Sequence, residues 1–426
     1  MDTLSQDEIA VAESSPANAQ ADLNAVLPAT ASTRAEQQIV LLTGGYDKPY
    51  VMGLTQALAA QSVWMDVVGG DAIDSPALRA TERLRFVNLI GSREGGSLAA
   101  KVSRVLAYYA RLIRYAATAE PKVFHILWNN KFEFLDRTLL MLYYRLLGKK
   151  VVFTAHNVNA GKRDGNDSFL NRLTLRAQYR LCDAIFVHTE KMRAELIKDF
   201  GVGVEKVHMI PFGINNSVPD TALTPSEARQ QLGIGKEEKT ILFFGALRPY
   251  KGLEYLVRAF LQLAASHPEY RLIIAGERRR ESGSYPEEVL REIDGSAYRD
   301  RILQVIRFIP DERAEVYFKA ADVLALPYTN VFQSGVLFTG YGFGLPVVAT
   351  DVGSIREEVK VGETGFLCEA CDPRGLANAI EEYFTSELFR SLQLRRSWIR
   401  EWAAARHSWS IVGETTRKVY AELLAR

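Results

Sequence analysis

From Ile39 onward the chain repeats one unit: a short run of β-branched and apolar residues followed by an amphipathic stretch of roughly 10–18 residues. The runs at 39–43, 123–128, 151–154 and 184–187 are mostly apolar or β-branched and too short for helices. They predict parallel strands covered on both faces. The stretches at 50–60, 98–117, 134–147 and 168–181 predict the helices between them. The same alternation resumes with runs at 241–244, 271–275, 323–326 and 347–350. It predicts two successive doubly wound α/β units, each with its own sheet. A length of 426 residues at 47% hydrophobic content is enough for two cores. The junction is expected near residues 211–228, where Pro211, Gly213, Asn215, Asn216, Pro219 and Pro225 cluster.

Before the first run, residues 1–38 hold one Arg and six acids, with no aromatic residue and no apolar period, and are expected to be a disordered tail. They lack the basic start and apolar stretch of a secretory signal. With that net −5 removed the rest of the chain is +6, too mild a charge for a dedicated nucleic-acid binder. Three cysteines exclude a secreted disulfide scaffold and favour a reducing compartment, so a cytoplasmic location is expected. No apolar run is long enough to span a bilayer.

Three segments carry chemistry. After the first strand, Thr43-Gly44-Gly45-Tyr46-Asp47-Lys48-Pro49 makes a tight turn, with Asp47 placed to cap the next helix and Pro49 in its first turn. The alternatives here are a structural turn and a ligand site at the carboxyl edge of a sheet. In 241–252, Gly245 frees a loop, and Arg248 and Lys251 set two positive charges just ahead of a helix. That arrangement suits a departing diphosphate, against the plainer reading of a solvated basic loop. The third segment, 327–357, carries a polar loop through Gln333-Ser334-Gly335 into a helix start, leaving the amides of Ser334, Gly335 and Val336 to bind phosphate or sugar.

The order of these motifs resembles the retaining glycosyltransferases of family four (glycosyl transferases group 1). It runs from the Gly-Gly turn through Thr-Ala-His-Asn, Pro-Phe-Gly-Ile and the Arg248/Lys251 loop, to the loop-helix before Pro346-Val347-Val348-Ala349-Thr350-Asp351 and then Gly362-Glu363-Thr364-Gly365-Phe366-Leu367. The resemblance covers residues 39–426 and implies the α/β GT-B fold, two Rossmann-like doubly wound domains facing a central cleft. By this reading 39–215 is an acceptor-side domain, 216–400 binds the nucleotide sugar, and 401–426, with Trp402 onward, packs back on the first domain. Catalytic roles are implied for Arg248 and Lys251, which would neutralise the donor diphosphate, and for His156, which would contact the transferred sugar. Donor contacts are implied for Gly44, Gly45, Gly245, Gln333, Ser334, Gly335, Val336 and Thr339. The implied reaction retains anomeric configuration and uses neither metal nor bound cofactor, a nucleoside-diphosphate sugar being the co-substrate.

One departure stands out. The family's two glutamates, separated by seven residues, fall here on Val331 and Thr339, so Gln333-Ser334-Gly335-Val336 is expected to take over the first acid's contacts. The loss keeps two rivals open, a GT-B sugar-nucleotide epimerase and a non-catalytic sugar-nucleotide-binding partner. Cys368-Glu-Ala-Cys371, Arg278-Arg279-Arg280 and the Asp164/Asp167 pair read as structural, with Asp167 capping the following helix. Finally, Lys101, Arg104, Arg111 and Arg114 fall near one face of a Tyr-bearing helix, and 137–150 is also basic and apolar. These stretches are either core helices with snorkelling cations or a peripheral docking face for anionic lipid at the inner side of the cell membrane. The second option implies a lipid-linked saccharide acceptor in polysaccharide or glycoconjugate assembly.

Overall fold

A computed structural model describes residues 38–92, 97–130, 132–163, 167–214, 218–279 and 282–426. The expected tail (apart from Gln38), Asp164, Asn215, Asn216 and Arg280 lie outside the described residues. Seven strands form the first sheet: β1 (Gln38–Leu42), β2 (Trp64–Gly69), β3 (Leu84–Asn88), β4 (Val123–Ile126), β5 (Lys150–Thr154), β6 (Ala184–Val187) and β7 (Val207–Met209). Six form the second: β8 (Lys239–Phe244), β9 (Tyr270–Ala275), β10 (Ile302–Val305), β11 (Val323–Leu326), β12 (Val347–Thr350) and β13 (Gly365–Cys368). Every pairing is parallel, in the orders β3-β2-β1-β4-β5-β6-β7 and β10-β9-β8-β11-β12-β13. This is the two-Rossmann GT-B arrangement. Strand order reverses between β1 and β4 and between β8 and β11, and ligands of such sheets bind beyond the carboxyl ends at these switch points.

The strands expected from apolar runs are all present, each buried on both faces. The expected helix at 134–147 contains a π-helical turn, Asp136–Leu140, between the short helix Glu133–Leu135 and the helix Met141–Leu146. Asp47 caps its helix, Oδ1 accepting from Tyr50 N–H at 3.2 Å. Asp167 does not cap the helix Phe169–Leu181. Ser168 does, its Oγ accepting from Asn171 N–H, while Asp167 accepts from Asn159, Asn171 and Arg172. The physical reason is register: the carboxylate is one residue too early to reach the first free amides.

The return to the first unit starts later than Trp402. The helix Leu392–Arg406 packs on the helix Gly335–Gly342 of the second unit, with Trp402 edge-on to Tyr341 at 5.6 Å. Trp409–Ala425 then crosses back and lies along Lys48–Ala60. Its Tyr420 hydroxyl meets His125 Nδ1 of β4 at 2.6 Å, and Val412, Val419 and Leu423 join the core around β1 and β2. The Trp409 indole donates to Ile214 O at 2.8 Å and is wedged where a Cβ on either Gly53 or Gly213 would overlap it, at 2.1 and 2.3 Å.

That wedge inverts an ordinary expectation. In an exposed helix Gly→Ala stabilises by ~1 kcal/mol. Gly53→Ala should instead destabilise by roughly 1–3 kcal/mol, because the indole cannot leave without losing its bond and its packing. Denaturant titration checks this, and a variant as stable as the native protein would contradict the wedge.

Candidate functional site

The loops leaving β1, β4 and β5 meet in the first unit, and those leaving β8 and β11 meet in the second. On the second unit, Gly245 takes φ +108°, a conformation that suits glycine, and a Cβ there would stand 2.6 Å from Lys251 Nζ and 3.7 Å from Val336 Cγ2. Gly245, Lys251 and Val336 therefore meet at one point. Lys251 is only 9% exposed, with its ammonium 5.8 Å from the Tyr328 ring centre. Desolvation, and secondarily the neighbouring Arg248, push its pKa down to about 8. Among the described residues no carboxylate pairs with Arg248 or Lys251. Cations left unneutralised at the carboxyl edge of a sheet form an anion site.

Beside them, Ser334 Oγ accepts from Leu337 N–H and meets Tyr328 Oη at 3.1 Å, which fixes the helix start. Gly335 is exposed, and a Cβ there would meet nothing within 4 Å. The Gln333 amide is the unusual feature: its oxygen and nitrogen are both shut from solvent, with no partner among the described residues. Buried amides are nearly always satisfied, so this pair reads as reserved for a ligand. Thr339 donates its hydroxyl proton to Gly335 O at 3.1 Å, leaving only lone pairs for any ribose contact.

On the first unit, Gly44 and Gly45 turn with φ +60° and +76°, and a Gly44 Cβ would lie 2.9 Å from Trp128 O after β4. Trp128 stacks on His156 at 4.3 Å and 8°, while Tyr50 approaches His156 edge-on at 4.6 Å. Two residues that the sequence reading did not single out complete this cluster. His188, following β6, places Nε2 3.2 Å from His156 Nδ1 and Nδ1 3.2 Å from Ile210 O; Phe212 packs on both rings. The available signal was positional, since His188 stands at a strand's carboxyl end just as His156 does.

This chain of bonds sets the tautomers. A carbonyl only accepts, so His188 carries its proton on Nδ1 and presents a lone pair at Nε2. His156 must then donate from Nδ1, which leaves its Nε2 a bare acceptor, buried and without a partner among the described residues. Burial depresses both imidazoles, His188 to about 4 and His156 well below its ordinary value, the latter aided by the neighbouring His188 and His125, so both are neutral at pH 7. A neutral acceptor backed by aromatic rings suits a sugar hydroxyl.

The halves touch directly. Thr189 Oγ1 meets Ser354 Oγ at 2.8 Å, Glu357 accepts from the amides of Glu190 and Lys191 at 3.1 and 3.2 Å, and Phe212 stacks on Phe338 at 5.3 Å. Of the discounted features, Arg278 pairs with Glu287 and Arg279 with Glu277, and Cys368 and Cys371 form no disulfide.

Comparison with known proteins agrees with this geometry. The model for Glycosyltransferase Family 4 matches residues 49–218, and that for Glycosyl transferases group 1 matches 225–402. A D-inositol 3-phosphate glycosyltransferase from Corynebacterium diphtheriae is 26% identical over 395 residues, covering 88% of each chain. Among solved structures, sucrose-phosphate synthase from Thermosynechococcus elongatus superposes with TM-score 0.74 at 22% identity, over 91% of this chain and 99% of that one. Anabaena HepE in complex with UDP-glucose gives 0.68 at 18%, over 91% and 99%.

The depressed Lys251 has a thermodynamic signature. Its folded pKa of about 8 lies below the ordinary 10.5, so charging it opposes folding below pH 8. Between pH 8 and 10.5 the unfolded chain holds a proton that the folded one sheds, and stability rises with pH. Lys251→Met should therefore be more stable than native at pH 7 by roughly 1–3 kcal/mol, with the difference closing toward pH 10.5. Denaturation at several pH values measures it, and a constant difference would mean the lysine is not desolvated.

Proposed function

The chain belongs to glycosyltransferase family four and has the GT-B fold; on that premise we propose that it moves a hexose from a nucleoside diphosphate sugar to an acceptor hydroxyl with retention of configuration. The observation that carries this reading is the pair of the desolvated Lys251 and its neighbour Arg248 at the Gly245 turn, with no carboxylate paired to either among the described residues. Removal of a sugar leaves a diphosphate whose growing charge these cations stabilise, a role that elsewhere falls to a divalent metal. The His156 Nε2 lone pair takes a hydroxyl of the transferred sugar, and the Gln333 amide and the amides at Gly335 and Val336 hold its other groups and the phosphates. In a front-face substitution the leaving diphosphate oxygen removes the acceptor proton on the face it departs from. That route needs no protein carboxylate, consistent with Val331 and Thr339 in the glutamate places. The uridine diphosphate sugar held by the HepE structure favours a donor of that type.

For the acceptor we propose a lipid-linked saccharide. The surface of the first unit favours it: Leu98, Leu106, Leu146 and Phe169 are 80%, 62%, 77% and 82% exposed, on three helices that adjoin through Tyr143–Ile113 and Arg137–Asn171 bonds. Val102, Ile113, Leu139 and Leu173 extend this apolar belt, with Arg111 and Arg114 exposed beside it. No helix among the described residues is long and apolar enough to cross a membrane. A belt of this kind suits peripheral seating in the headgroup region of a cytoplasmic leaflet. The relatives named for D-inositol 3-phosphate favour a second reading, a small phosphorylated acceptor. Transferase models over both halves set the epimerase reading aside.

Turnover with a panel of uridine, adenosine and guanosine diphosphate sugars, with product stereochemistry read by NMR, tests the reaction. Arg248→Ala and Lys251→Ala should each lower turnover about 10²–10³-fold. Gly335→Val should abolish donor binding without unfolding, since its side chain meets only open space in the free protein. Full activity in all three variants would refute the donor assignment. Separately, Val102→Ser/Leu106→Ser should release the protein from anionic vesicles in co-sedimentation at low salt. Equal pelleting of variant and native protein, or no pelleting of either, would favour the soluble acceptor.

A further inference from the structure

Behind His156 stands a second imidazole whose use the donor chemistry above leaves open. His188 directly follows β6, is 5% exposed, and engages both of its ring nitrogens. Nδ1 lies 3.2 Å from Ile210 O, and Nε2 lies 3.2 Å from His156 Nδ1. Phe212 and Tyr50 meet the ring edge-on at 5.2 and 6.1 Å. The ring cannot turn over without giving up both bonds, and burial makes that loss costly.

The carbonyl makes this arrangement directional. His125 on β4 is the contrast: its nitrogens meet the hydroxyls of Tyr420 and Thr154 at 2.6 and 2.7 Å. A hydroxyl donates or accepts, so those partners leave the tautomer of His125 free. Ile210 O only accepts, so the protons of His188 and His156 both lie on Nδ1. The series then ends in a lone pair at His156 Nε2, which has no partner among the described residues. The rings around His156 do not impose this order. Trp128 stacks on it at 4.3 Å and 8°, and Tyr50 stands edge-on at 4.6 Å. Such contacts fix the plane of an imidazole, not which of its nitrogens holds the proton, and that choice follows the hydrogen bond made by the other nitrogen. Among the described residues His188 is the hydrogen-bond partner that makes it.

We infer that His188 is a positioning residue that sets, through His156, the hydrogen-bond sense demanded of the donor sugar, so that one position of that sugar must present a hydroxyl that donates. The inference rests on the proposed contact between His156 and the transferred sugar, and it concerns specificity: no proton changes owner. It selects a neutral hexose with a free hydroxyl at that position. An ether, a fluorine or a carboxylate there would set lone pairs against the lone pair of Nε2. Without an acceptor behind it, His156 would carry its proton on either nitrogen and take either kind of group.

Two readouts on the full chain separate this inference from the donor reading beneath it. The first needs no ligand. With isotopically labelled nitrogen in the six histidines, long-range proton–nitrogen NMR spectra at pH 7 distinguish a protonated ring nitrogen from a bare one. His156 and His188 should both carry the proton on Nδ1. His188→Phe, which keeps a ring in place, should spread His156 over both tautomers. His188→Gln, whose amide oxygen can accept near the place of Nε2, should restore the native one. A proton on Nε2 of His156 in the native chain, or unaltered His156 signals in a folded His188→Phe, overturns the inference; if His188→Phe does not fold, the native spectrum still decides. The second readout is calorimetry with UDP-glucose and its analogues carrying fluorine in place of each glucose hydroxyl in turn. At one position fluorine should weaken binding to the native chain by at least about tenfold. That penalty should shrink to about threefold or less in His188→Phe and return in His188→Gln. A merely structural loss would weaken every donor alike, so a penalty unchanged in His188→Phe also overturns the inference. A native chain that binds none of these donors counts against the donor reading, and the spectra alone then decide the positioning role.

Discussion

In a parallel sheet every strand leaves by the same edge, so each unit offers only one edge where several loops gather. A site shared by two such units exists only if those edges are held toward each other. Here the holding is shared between polar bonds, Thr189 to Ser354 and the amides of Glu190 and Lys191 to Glu357, and aromatic packing. Phe212, from the segment after β7, stacks on Phe338 of the second unit and also touches His156 and His188. The last helix then returns across the junction, pinned by Trp409 between two glycines and by Tyr420 on His125. The Phe212 ring thus takes part both in the contact between the units and in the surroundings of His156. Motion between the halves would be read directly at His156.

Against that frame the electrostatics of the two edges are opposite in kind. The first unit supplies imidazoles kept neutral by burial, with a proton order imposed by one carbonyl, Ile210 O. The second supplies a charge, on Lys251, that burial disfavours and that no carboxylate among the described residues offsets. A neutral acceptor orients hydroxyls without attracting phosphate, and an uncompensated cation attracts phosphate without discriminating hydroxyls. On the proposed reading, dividing the tasks between edges would decide which end of a sugar nucleotide faces which unit. The cost falls on stability at the lysine and at the unpartnered Gln333 amide, as is usual where a binding site is held open before its ligand arrives.

Most of the architecture is legible in the residues, because buried parallel strands are continuous apolar runs. β1, β4, β5, β6, β8, β9, β11 and β12 all read this way. The strands that escape are mainly at or near the sheet edges. β3 and β10 are only half covered, so their sequences mix Arg85 and Gln304 among apolar residues and lose the signature. The helix at 134–147 is legible, but its π-helical turn is not, since one extra residue in a turn changes no period visible over so short a span. Within the site, glycines and cations can be found by spacing. Trp128 and Tyr50 cannot, because their roles arise from contacts between residues far apart in the chain, and His188 carries only the positional signal of a strand's carboxyl end. Asp167 shows the smallest margin: a single residue of register decides between a cap and a bridge.

The two absent glutamates bear on both the charge and the pH range of the site. Lys251 feels desolvation first and Arg248 second, and both act in the same direction. A carboxylate on the neighbouring 331–339 loop would oppose them, holding the lysine charged to higher pH and partly neutralising it before any ligand arrived. With Val331 and Thr339 in those places, the loop can offer the sugar only neutral groups, the Gln333 amide and free backbone N–H. The empty site is then more positive and attracts a diphosphate more strongly, but it loses that charge at a lower pH. Once a diphosphate is bound, its own negative charge replaces the missing carboxylates and raises the lysine again. On the proposed reading, replacing acids by an amide need not disable the machinery, since the counter-charge of Lys251 would then come from the substrate rather than from the protein.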